Sequence, residues 1–204
     1  MGASQRIMGI APGTIYMGYG IIEIVEGNPR AVIMGDIALH KVKDAHHKLR
    51  YIFERVRSLT VEYSPQEVAF ESPFFGANVQ SMLKLGRAQG VAIAAVLSAG
   101  EAITIAEYAP TRIKQAITGR GQASKQEVAT MINSMLGTDY IPRKLDATDG
   151  MAVALCHWLT TSNTLTRLTA GDKRKGLGGA SKARKGSSSW EKFVESNPDR
   201  VTKQ

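Results

Sequence analysis

One cysteine, Cys156, occurs in 204 residues. A lone thiol excludes a disulfide framework, which fits a reducing cytoplasm, and its setting in an apolar helical pattern makes it a small core residue. No apolar run is long enough to span a membrane, and no signal-peptide pattern opens the chain. A cytoplasmic protein without membrane contact is therefore expected. Met1-Gly2 starts like an acylation signal, but Arg6 stands where that signal needs Ser or Thr. The four histidines, His40, His46, His47 and His157, lack metal-ligand spacing and are assigned no role. Tyr108 and Trp158 read as packing.

Acidic charge is short at one end only. Residues 1–164 hold 16 Lys and Arg against 14 Asp and Glu, a net of +2, whereas residues 165–204 hold 10 against 4, a net of +6. The first span is expected to form one core domain. The second is rich in Gly, Ser, Lys and Arg, buries too little apolar surface to offset chain entropy, and is expected to be a largely disordered basic tail. Non-specific nucleic-acid contact and simple solubility account for it equally well.

Taken in order, residues 6–10 form a short strand ending at the turn Pro12-Gly13-Thr14. Residues 16–25 and 31–39 continue as strands around the turn Glu26-Gly27-Asn28-Pro29, giving an antiparallel meander. Val42, Ala45, Leu49, Ile52, Val56, Leu59 and Tyr63 follow helical spacing, and Ser64-Pro65 stops that helix. Residues 67–71 are a strand, and 72–76 a loop carrying Phe74 and Phe75. Residues 78–98 are a helix with Gly86, Gly90 and Ala94 along one side. Such a stripe ordinarily packs tightly on a sheet, and the sharper alternative is a helix-to-helix dimer contact. Residues 102–107 read as a buried strand. Pro110 opens a short helix, and Ser124-Lys125-Gln126-Glu127 is a capping box opening another that runs to about Leu136. A last helix starts near Asp146 and reaches about Thr161. The alternation in the middle implies right-handed crossovers, hence an α/β fold with a mixed five-stranded sheet flanked by helices. The first strand then lies beside the one ending at Glu71.

Asp146 and Asp149, three positions apart, share one face of the last helix. Alone, helix capping explains them best. Glu71 closing an apolar strand, with the glycine-containing strand end Ile10-Ala11-Pro12-Gly13-Thr14, raises the pair to a candidate site. Three acids from two distant segments are what a hard divalent cation requires.

Four segments, Gly9-Ile10-Ala11-Pro12-Gly13, Phe70-Glu71, Lys84-Leu85-Gly86-Arg87-Ala88-Gln89-Gly90-Val91-Ala92 and Asp146-Ala147-Thr148-Asp149, resemble in order the motifs of the bacterial RuvC Holliday-junction resolvases. The resemblance spans residues 6–160. It implies a ribonuclease H-like fold, as in retroviral integrases. It also implies a homodimeric endonuclease that nicks four-way DNA junctions symmetrically in recombination and repair, with Mg²⁺ or Mn²⁺ as cofactor and RuvA and RuvB as partners. By the same resemblance the catalytic acids fall at positions 11, 71, 146 and 149. Phe74 matches an aromatic wedged against unstacked bases, while Phe75 is expected to pack inward. Lys114 and Lys125 match DNA-contacting basic positions, and Arg112 and Arg120 lie close enough in sequence to extend a phosphate track.

The departure is at position 11, where Ala11 replaces the family's aspartate. Two-metal hydrolysis holds its ions roughly 3.5–4 Å apart, and a methyl group supplies no ligand. Glu71, Asp146 and Asp149 are expected to hold one ion weakly, so the chain should bind junctions and scarcely cut them. With every neighbouring motif residue intact, deliberate replacement explains Ala11 better than natural decay. A natural non-cutting junction-binding protein is the alternative. An actin-like ATPase is a weaker one, because the chain is short and a second phosphate loop is missing.

Overall fold

Alternation along a central strand divides this protein into two cores. The computed structural model describes residues 5–73, 79–100, 102–137 and 146–169, with only the backbone at 146 and 163–169. Strands β1 (Gln5–Ala11), β2 (Tyr16–Val25), β3 (Asn28–Ala38), β4 (Glu67–Glu71) and β5 (Thr104–Tyr108) form one sheet in the order β3-β2-β1-β4-β5. β1 pairs antiparallel with β2 and parallel with β4, and β5 joins β4 in parallel. The helices are α1 (Ala45–Tyr63), α2 (Val79–Leu97), α3 (Pro110–Thr118), α4 (Lys125–Leu136) and α5 (Asp146–Thr169). This is the mixed α/β, ribonuclease H-like arrangement expected from the sequence.

Side chains two apart on a strand share a face. Ile7, Ala11, Ile22 and Ala69 therefore face the core built with α3, α4 and α5. Met8, Ile10, Ile21, Val68 and Phe70 face the core built with α1 and α2. Each large apolar side chain so buried contributes roughly 1.5–3 kcal/mol. On the α5 side the contact is backbone to backbone. Gly9 and Gly20 are cross-strand partners, and a Cβ on Gly9 would lie 2.3 Å from the Ala154 nitrogen.

Several boundaries differ from the sequence expectation. α1 starts at Ala45 because the Asp44 side chain accepts from the His47 backbone N–H at 2.8 Å. Val42 is left outside, after a 3-10 turn at Leu39–Lys41. β5 starts two residues and ends one residue later than expected, and it is a half-exposed edge strand where a buried one was expected. The glycine stripe of α2 does not pack on the sheet. Ala88, Ala92, Ala95 and Val96 are buried there, while a Cβ on Gly86 or Gly90 would meet nothing within 4 Å. α5 continues to Thr169, past the expected helix end and through the expected domain boundary at 164. The rest of the tail, 170–204, lies outside the described residues, as do Phe74 and Phe75.

Candidate active site

The same alternation puts Glu71, two residues beyond Ala69, on the α5 side of the sheet. The parallel ladder pairs Ile10 with Phe70, so position 11 adjoins Glu71. The ladder of β4 with β5 continues past Glu71, since the Ser72 N–H donates to the Tyr108 carbonyl at 2.9 Å. Glu71 is thereby held at the carboxyl end of a strand with neighbours on both edges.

A cavity of about 100 Å³ opens there, lined by Glu71, Lys114, Lys125, Asp149, Pro110, Ile113, Val128 and Ala152. Each polar member is placed by a local device. Pro110 at the first turn of α3 starts that helix directly after β5, and Lys114 follows one turn later. Lys125 is the first residue of α4, whose start is pinned by reciprocal bonds: the Glu127 N–H donates to Ser124 Oγ at 3.2 Å, and the Ser124 N–H to Glu127 Oε2 at 2.8 Å. Asp149 lies in the first turn of α5.

Burial pushes the Glu71 carboxyl up to about 7, the Asp149 charge pushes the same way, and Lys125 and Lys114 pull it back. Lys125 Nζ donates to Asp149 Oδ2 at 2.5 Å. Two carboxylates thus oppose each other beside two ammonium groups. Crowding of like charge on oxygen donors is what a hard cation relieves. Ala11, 6% exposed, brings no donor atom. Among the described residues no three His, Cys, Asp or Glu side chains come together. Asp146 sits one turn before Asp149 on α5, and its side chain is outside the described residues. Among the described side chains Glu71 and Asp149 offer the oxygen donors a hard cation takes, and position 11 adds none.

The expected basic residues separate. Lys114 and Lys125 reach the carboxylates. Arg112 does not line the cavity. Burial raises the Tyr108 pKa, and the nearby Arg112 charge is among the groups lowering it, which places Arg112 on the Tyr108 side of α3. Arg120 pairs with Glu127 on the surface.

One polar cluster escaped the sequence reading. Tyr108 Oη and His157 Nδ1 are 2.7 Å apart, and His157 Nε2 meets the Glu67 carboxylate, which also accepts from Gln5. His157 is 4% exposed. Its only signal in the sequence is a polar residue closing the apolar run Val153-Ala154-Leu155-Cys156.

Known proteins match this chain over most of its length. The sequence model of the family "Crossover junction endodeoxyribonuclease RuvC" matches residues 7–157. The crossover junction endodeoxyribonuclease RuvC of Porphyromonas gingivalis is 48% identical over 98% of this chain and 100% of its own length. The Thermus thermophilus RuvC structure aligns with a TM-score of 0.70 and 28% identity, covering 78% of this chain and 97% of that one. T. thermophilus RuvC in complex with a Holliday junction substrate aligns with a TM-score of 0.68 and 27% identity, covering 78% and 96%.

Proposed function

Because the chain belongs to the RuvC family of crossover junction endodeoxyribonucleases, we propose that it grips four-way DNA junctions as a homodimer and that Ala11 makes it a poor nuclease. Supporting this is the placement of Glu71 opposite Asp149, with position 11 on the adjoining strand. The family is divalent-metal dependent, and Mg²⁺, with Mn²⁺ as substitute, is the proposed ion. Glu71, Asp149 and Asp146 would hold it. A divalent cation held there would supply one of the two tasks that a metal pair divides, activating water or stabilising the leaving oxygen. A single ion in this donor set cannot serve both ends of an in-line displacement.

The chain's own residues supply the rest. Lys114 and Lys125 present ammonium groups to the phosphate beside the carboxylates. Arg112 and Arg120 lie further out, and Arg120 meets DNA only by releasing Glu127. Phe74, between β4 and α2, is the proposed wedge at the junction centre. The exposed α2 side, with Val79 at 66%, Leu83 at 59% and Leu97 at 51% exposure flanking Gly86 and Gly90, suits a two-fold contact with a second copy. The basic residues of 165–204 add non-specific attraction, and RuvA and RuvB are proposed partners.

A gel assay on four-way and linear DNA, with and without Mg²⁺, compares this chain with Ala11→Asp. The chain should retard the junction in preference to linear DNA and leave it uncut, while Ala11→Asp nicks it in symmetric pairs. Equal cleavage by the two sinks the role of position 11. Absence of junction preference sinks the function.

A further inference from the structure

A second basic depression lies on the other side of the sheet from α5. About 340 Å³ in volume, it is walled by Gly13 and Thr14 of the β1–β2 turn, Lys43 and Lys48 around the start of α1, and Lys84 and Arg87 of α2. No acidic residue lines it. Asp44, nearest in sequence, is turned onto its own helix as the cap of α1. Among the described residues none of these four cations enters an ion pair. Four uncompensated cations around one concavity repel one another, and a polyanion removes that cost.

The carboxylates lie on the neighbouring stretch of surface. Glu71 lines the cavity shared with Asp149 and lines a second hollow of about 180 Å³ with Pro12, Ser72 and Leu85. Pro12 precedes Gly13, and Leu85 follows Lys84, so this second hollow and the basic cleft have walls that are neighbours in sequence on both the β1–β2 turn and α2. Gly13 is required at this corner: a Cβ there would lie 1.9 Å from the Tyr16 carbonyl oxygen. The cleft is lined by four cations and one imidazole, His46, with no Phe, Tyr or Trp, a lining that favours a phosphate backbone over a nucleobase.

We propose that this cleft seats phosphates of the same DNA beyond the reacting one, carrying the strand round the Pro12-Gly13-Thr14 corner from the α5 side to the α1–α2 side. The proposal rests on the junction-binding reading above and adds a stretch of the DNA path to it. Contacts of this kind set register and supply salt-dependent affinity.

The test is a salt series of four-way junction binding by the full chain and by Lys43→Gln/Lys48→Gln. In the homodimer the double variant removes up to four phosphate contacts, two per copy, and should lower the slope of log affinity against log salt by up to about 3.6, with the loss of affinity largest at low salt. Circular dichroism and light scattering should match the unsubstituted chain. If the double variant is poorly folded, Lys84→Gln/Arg87→Gln on the opposite wall should give the same slope change. An unchanged slope and affinity overturn the cleft, while Lys114→Gln still weakening binding would leave the active-site reading standing. A chain with no junction preference brings down that reading itself. ATP competing with junction for the unsubstituted chain and not for the double variant would make the cleft a nucleotide site and also overturn the proposal.

Discussion

A Cβ placed on Gly150 would lie 2.4 Å from the Cα of Tyr19. α5 therefore rests its first turns directly on the β2 backbone, one residue after the acid Asp149. That contact sets how near Asp149 comes to the sheet edge where Glu71 ends β4. A side chain at 150 has no space to move into, because its nearest neighbours are backbone atoms.

Gly150→Ala should thus lift α5 from the sheet. Overpacking of this kind costs typically 1–3 kcal/mol, and here the backbone itself must shift. Urea unfolding should show a lower midpoint, with Gly9→Ala behaving alike because it would press on the Ala154 nitrogen. An unchanged midpoint for both would mean that the helix and sheet yield easily and that this approach does not position Asp149.

Glu71 makes stability depend on pH in the metal-free protein. Its folded pKa is about 7 against an ordinary 4.5. Between those values the folded state binds more protons than the unfolded state, so stability falls as pH rises and levels off above about 7. At 1.36 kcal/mol per unit the ceiling is on the order of 3 kcal/mol, less whatever solvent access screens. In EDTA, Glu71→Gln should flatten the fall between pH 5 and 7.5. Adding Mg²⁺ at pH 7.5 should stabilise the unsubstituted protein by mass action. Parallel pH profiles for the two proteins would refute the assignment.

Legibility of the fold tracked the range of the forces involved. β2 and β4, and the capped start of α4, were readable because alternation and capping act over a few residues. The start of α1 was misplaced because its apolar spacing runs on through Val42, whereas the Asp44 side chain decides where hydrogen bonding begins. β5 starts two residues after its apolar run does because a parallel edge strand takes its register from its partner β4. The meeting of Glu71 with Asp149 followed from the strand order together with the family resemblance. The tie between Lys125 and Asp149, 24 residues apart, did not, since no local period encodes it.

The open face of α2 predicts an oligomeric state. Leu83, 59% exposed, lies on the side where Gly86 and Gly90 leave backbone uncovered. Leu83→Glu puts a charge there without touching either core, so folding should persist. Light scattering should then report a monomer, and junction affinity should drop because one copy engages one set of equivalent strands. A dimer that survives Leu83→Glu together with Gly86→Glu would place the two-fold contact elsewhere.

The Tyr108–His157–Glu67 cluster predicts a loss of stability separable from chemistry. Glu67 begins β4 and Glu71 ends it, so the buried histidine braces the start of β4, while its other partner, Tyr108, stands opposite Glu71 on β5. His157→Leu removes one bond from Tyr108 Oη and one from the Glu67 carboxylate, which keeps Gln5, and such losses cost about 0.5–1.5 kcal/mol each, more for the charged group. Tyr108→Phe leaves the Glu67 bond in place and removes only neutral bonds, to His157 and Thr160, so it should cost nearer 1 kcal/mol. Because the three groups share one network, the double variant should cost less than the two single losses added together. In an Ala11→Asp background, junction cleavage at a temperature well below unfolding should change little for either variant. A large loss of cleavage with no loss of stability would move His157 from bracing the strand to serving the active site.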